Sequence, residues 1–128
     1  MEEALIARLL ADSAVTSLVG ERINWIERPQ DEGFPAITLQ VIDRDYAQHM
    51  TGLQKTQFAL VQVDVWALGY LEATQIEEAV VNSLLPEMTI NGVKFGRAFV
   101  RSRDLSERTE TQFIFRPSMD FTINYSAQ

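Results

Sequence analysis

The chain has no cysteine. That excludes a disulfide framework and every thiolate metal site, and it fits a reducing compartment. Histidine occurs once, at position 49, so no second imidazole completes a zinc centre and a Ser-His-Asp triad has a single candidate base. There is no Gly-x-Ser-x-Gly elbow, no Gly-x-Gly-x-x-Gly run and no Walker loop, so serine hydrolysis and nucleotide binding have no support. No apolar run approaches the roughly 20 residues of a membrane span. Met1-Glu2-Glu3 is acidic, unlike a signal peptide. A soluble chain that stays in the cytoplasm where it is made is expected, with no metal, no cofactor and no membrane contact. Positive charge is also scarce: 11 Lys and Arg face 18 Asp and Glu, for a net −7. A negative field repels phosphate, so wrapping of DNA or RNA is not expected. The charge serves either solubility or a surface that DNA passes without sticking.

What is present fits one domain over residues 1–128. At this size roughly two-thirds of the unfolded surface can be buried, enough for a core without staples. The clearest pattern begins at Phe58. Ala59, Val61, Val63, Val65 and Ala67 alternate with Leu60, Gln62, Asp64 and Trp66, the period of a strand with one buried face. After a break at Leu68-Gly69-Tyr70, Ala73, Ile76, Val80 and Leu84 recur at helical spacing, and Pro86 closes the helix.

Upstream, Leu5, Ile6, Leu9 and Leu10 predict a helix over 2–11, followed by a short turn through Val15, Leu18 and Val19 that Gly20 ends. Residues 21–27 look extended, 28–35 read as a loop, and Ile37, Leu39 and Val41 predict a strand over 36–44. Asp43 to Gln57 forms a long polar hairpin-like loop, either a mobile tip or a contact element. Downstream, Asn91-Gly92 signals a hairpin turn, with Val93, Phe95, Arg97 and Phe99 alternating after it. Residues 101–110 read as a mixed-charge loop or hairpin turn. A last strand is expected over 111–125, with Phe113, Phe115, Met119, Phe121, Ile123 and Tyr125 on one face and a bulge or edge at Pro117. The sum is an α+β fold: a mainly antiparallel sheet of about four to five strands with two helices packed on one face. The helix between the third and fourth strands leaves room for a local parallel step.

Chemistry-bearing groups are few. Asp43 and Asp45 flank Arg44 at a strand end, and with His49 they are the only set from which an active or ligand-binding site is built; a turn is the plainer use. Glu77 and Glu78 read as a solvated helix face. Trp66 shares its sheet face with Gln62 and Asp64, not with the valines. Large apolar residues there, Phe58, Leu60 and Trp66, suit either a subunit interface or a covering element of the same chain.

Several segments in order resemble the tail-completion, or tail-terminator, family of long-tailed bacteriophages and gene transfer agents. They are Leu9-x-x-Asp12-x-x-Val15-x-x-Leu18-Val19-Gly20-x-Arg22-Ile23, then Pro35-Ala36-Ile37, Gly52-Leu53, Gln62-Val63-Asp64-Val65-Trp66-Ala67 with Tyr70 and Ala73, and Met119-Asp120-Phe121-Thr122-Ile123. The stretch from Asn24 to Gly33 departs from the pattern. The resemblance implies a structural virion protein without enzymatic activity, assembled in the host cytoplasm and residing in the tail or neck. It implies a homo-hexameric ring that caps the tail tube, ends its polymerisation and docks to the head–tail connector or stopper protein, with DNA passing through the channel without specific binding. The candidate contact residues are Asp45, Tyr46, His49, Met50, Gly52, Leu53 and Lys55 in the long loop, Gln62, Asp64 and Trp66 on the sheet, and Pro117 near a sheet edge. A head–tail connector or stopper protein is the related alternative, and a small α+β enzyme or ligand-binding domain using Asp43, Asp45 and His49 is the unrelated one.

Overall fold

The computed structural model describes residues 1–26, 33–45, 48–49, 52–53, 56–108 and 111–127; for 45, 48, 49, 52, 53 and 127 it describes the backbone alone. In chain order the elements are α1 (Glu2–Ala11), α2 (Ser13–Val19), β1 (Ile23–Trp25), β2 (Ala36–Asp45), β3 (Gln48–His49), β4 (Gly52–Leu53), β5 (Thr56–Trp66) and α3 (Tyr70–Leu84). They continue with β6 (Met88–Ile90), β7 (Val93–Phe95), β8 (Phe99–Asp104), β9 (Glu107–Arg108), β10 (Phe113–Ile114) and β11 (Pro117–Ala127). Asp12 separates the first two helices: its amide bonds back to the Leu9 carbonyl, and its carboxylate accepts from the Ala14 amide at 2.9 Å, an N-cap for α2. Gly20, at φ 62°, ends α2 in a conformation that disfavours side chains. In α3 the buried stripe is Ala73, Ile76, Val80, Ser83 and Leu84, the spacing of one helix face.

The main sheet runs β1-β2-β5-β11-β7-β6, with β8 also paired to β11. Every pairing is antiparallel except β1 with β2. The mixed α+β fold and antiparallel sheet agree with the sequence reading, but the count differs: the described residues form three helices, a seven-stranded sheet and two two-stranded ribbons. Strands of two or three residues are too short to show a period. The parallel step also lies elsewhere than expected. The strand after α3, β6, sits at the far end of the sheet from β5, and the parallel pair is formed by the early, short β1.

Two alternations break where the sequence reads them as continuous. After β7 the chain interrupts at Gly96, whose amide bonds to the Asn124 carbonyl at 3.0 Å and whose missing side chain leaves room for the Asn124 amide. Beyond that break the phase inverts: Ala98 is buried and Phe99, opening β8, is 71% exposed. Residues 101–104, expected to be loop or hairpin turn, belong to strand β8; all four are exposed, so no alternation marks them. The closing strand likewise splits into β10 and β11. Ile114, not Phe113, points inward, and the inward set resumes with Met119, Phe121 and Ile123. Pro117 is the first residue of β11 and faces Asp104 of β8, so the missing amide falls at a strand start and the free edge lies one strand further out.

The core fills the space between one sheet face and the helices. Leu5 and Leu9 of α1, Val15 and Val19 of α2, and Ile76, Val80 and Leu84 of α3 meet Leu39, Val61, Val63, Val65, Phe95, Met119 and Phe121. Each such fully buried side chain contributes about 1.5–3 kcal/mol of transfer free energy. Arg8 of α1 is the exception in this layer. Only 2% exposed, it donates to the Pro86 carbonyl and lies over the Phe95 ring, 5.6 Å from its centroid. Burial pulls its pKa down from the ordinary arginine value.

Candidate functional site

All three helices pack on the inward face, and alternation sends every second residue of β5, β11 and β8 to the other. Register lines these residues up in rows across the sheet: Asp64 beside Ser118 and Arg103, Gln62 beside Asp120 and Arg101, Leu60 beside Thr122 and Phe99, and Phe58 beside Asn124. Among the described residues, no helix covers this outer face.

One end of the face is a closed polar network. Asp64, 4% exposed, receives Arg116 Nη2 at 2.6 Å and Nε at 3.1 Å. Gln62 Nε2 donates to the same carboxylate at 3.1 and 3.2 Å. The Arg116 guanidinium lies over the Trp66 ring, 4.2 Å from its centroid, and Trp66 Nε1 donates to Thr38 Oγ1 at 2.9 Å. Beside it Arg103 Nη1 reaches Asp120 Oδ2 at 2.5 Å, an interaction that raises the guanidinium pKa further. A carboxylate neutralised by a forked guanidinium and an amide is a structural tie, not a free acid or base. Gln62, Asp64 and Trp66 are thus brought together, held by residues of their own chain.

The other end is apolar and open. Phe58 is 42% exposed, Leu60 is half-buried and Phe99 presents most of its ring. Phe99 escaped the sequence reading because the alternation from Val93 put it on one face with Phe95, which is buried. The tie of Arg116 to Asp64 depends on the β5–β11 pairing, which no local pattern encodes.

The long loop contains a short ribbon in which Gln48 pairs with Leu53 and His49 with Gly52. Tyr46, Met50 and Lys55 lie outside the described residues, and for Asp45, His49, Gly52 and Leu53 only the backbone is described. Pro117 lines a groove of about 440 Å³ between α3 and the β8–β10 region, with Tyr70, Glu77, Arg103 and Phe115 among its walls. Tyr70, Phe115 and Phe113 form an edge-to-face aromatic series there, at centroid distances of 5.9 and 4.8 Å. Among the described residues no three His, Cys, Asp or Glu side chains gather as a metal site, and no helix is long and apolar enough to cross a membrane.

A family described as "Tail completion protein gp17" matches residues 3–126. No curated protein matches. Among solved structures, a chain from the virion of a native gene transfer agent particle is similar over 99% of this chain and 95% of its own, at 18% identity and a TM-score of 0.77, which is a likeness of fold. A second solved chain is 15% identical over 100% of this chain and 96% of its own, with a TM-score of 0.49.

Proposed function

The chain belongs to the tail completion protein gp17 family, as a structural component of phage-type tails, and from that premise we propose that it assembles as a homo-hexameric ring on the tail tube. The ring caps the finished tube, stops further addition of tube subunits and presents its opposite side to the head–tail connector. DNA passes through its channel. Assembly takes place in the host cytoplasm, and no enzymatic step is involved.

The observation that carries this reading is the outer sheet face. Phe58, Leu60 and Phe99 stand at its open end, and among the described residues no helix covers them. Large apolar groups left together on one side of a sheet mark a contact surface. A closed ring uses two different patches per copy, so an asymmetric molecule with helices on one side and bare sheet on the other is suited to it. The ribbon carrying Gly52 and Leu53 lies between β2 and β5 in the chain and serves as a further contact towards a neighbouring ring. The net charge of −7 on each copy favours a channel that does not hold phosphate.

The test is direct. Purified protein mixed with tail tubes and viewed in negative stain is expected to give six-fold rings seated at tube ends and to arrest tube growth. Protein that stays monomeric and never decorates a tube end would sink the reading.

A further inference from the structure

Two strand edges on opposite sides of the main sheet are unpaired among the described residues. On one side β8 pairs only with β11, and its outer edge is free along Phe99–Asp104. On the other side β1 covers β2 only at Ile37–Leu39, and the rest of β2, from Gln40 to Asp45, has β5 as its one strand partner. The burial follows the pairing. Residues 36–39 of β2 are buried, whereas Gln40, Ile42 and Asp43 are exposed. An open edge presents a row of backbone donors and acceptors and is a template for another strand.

The two edges are complementary. β8 carries Arg101 and Arg103; the β2 overhang carries Asp43 and Asp45 around Arg44. Arg103 is held by Asp120 and Arg44 by Glu2, whereas no described group pairs with the exposed Arg101. Arg101 neighbours Asp120, and Asp43 neighbours Leu60, so both lie on the outer sheet face. Each edge also exposes a large apolar side chain, Phe99 at 71% and Ile42 at 48%.

We propose that neighbouring copies of this chain join edge to edge, the free edge of β8 on one copy pairing with the Gln40–Asp45 overhang of β2 on the next, with Arg101 set against Asp43. The proposal rests on the ring reading above and names the contact that builds the ring. Directions agree. β2, β5, β11 and β8 alternate in direction, so β2 and β8 of one copy run oppositely. Rotation about an axis along the strands preserves direction, and the junction is therefore antiparallel. Opposite charges across such a pair reinforce it, while the backbone ladder supplies most of the hold.

The absence of cysteine makes the test clean. The doubly substituted Arg101→Cys, Asp43→Cys protein is mixed with tail tubes, oxidised and run without reductant. Within one copy the two positions are separated by β11 and β5, three strand spacings of about 4.8 Å, beyond the ~7 Å that a disulfide spans. Every crosslink is then between copies. A ladder reaching the closed ring is expected, with each single variant stopping at dimers at most. In parallel, Arg101→Asp or Asp43→Arg alone should weaken association by about tenfold, and both reversals together should restore it. Rings at tube ends without a ladder and without that rescue overturn the edge-to-edge contact and leave the ring reading standing. Absence of rings from the unsubstituted protein overturns both.

Discussion

Replacing Asp64 by alanine leaves the Arg116 guanidinium over Trp66 with no anion beneath it. A group stripped of a mostly buried partner loses more than the net worth of the pair, and a destabilisation of about 1–3 kcal/mol is expected. Urea unfolding of Asp64→Ala, Arg116→Ala and the double variant checks this: the double should cost clearly less than the two singles together, and strict additivity would falsify the coupling. Glu2 offers a weaker, pH-dependent case. Its hydrogen bond from Arg44 at 2.7 Å, foremost among the causes, holds its pKa below the ordinary glutamate value. A depressed carboxylate contributes stability that is present above its unfolded pKa and disappears as pH falls through the folded one. Because the Glu2 side chain is 44% exposed, the contribution is discounted to about 0.2–1 kcal/mol. Thermal unfolding of Glu2→Gln should therefore show a small deficit at neutral pH and none in acid.

Between elements, the close approach of Gly96 to β11 is the most sensitive point. A Cβ built there lies 2.0 Å from Asn124 Oδ1, so Gly96→Ala must displace the Asn124 amide, which donates to the Arg97 carbonyl at 3.1 Å. A loss of about 1–3 kcal/mol is expected by denaturant titration, and pairing with Asn124→Ala should recover part of it. This position also shows why some elements could be read from the sequence and others could not. The valines of β5 and the stripe of α3 carry long, uninterrupted periods and were readable, as was the Asn91-Gly92 turn. Asn91 and Gly92 do adopt φ of 52° and 77° between paired β6 and β7. A single glycine that inverts the phase before β8 leaves no local trace, and strands exposed on both faces have no period. Of the outer face, Gln62, Asp64 and Trp66 were legible as the second side of the β5 alternation. Their anchoring by Arg116 depends on residues 52 positions apart and is a property of the assembled sheet.

At the scale of the whole molecule, the surplus of acidic groups governs contact with nucleic acid. Binding duplex DNA depends on releasing counterions to basic side chains, and 11 such residues against 18 acidic ones give a net repulsion. Filter-binding assays at low salt should retain no DNA above background; retention that weakens as salt is raised would show a basic track that the net charge conceals. The proposed edge contact depends on a smaller feature. The β2–β5 register shifts at Ile42, between Val41 and Asp43. A bulge bends and twists its strand, and a bent strand is a poor template for a flat one. In the proposed edge-to-edge junction this favours a partner strand of matching curvature over a flat one. One extra residue in the ladder makes that strand end act as a lock in place of an adhesive.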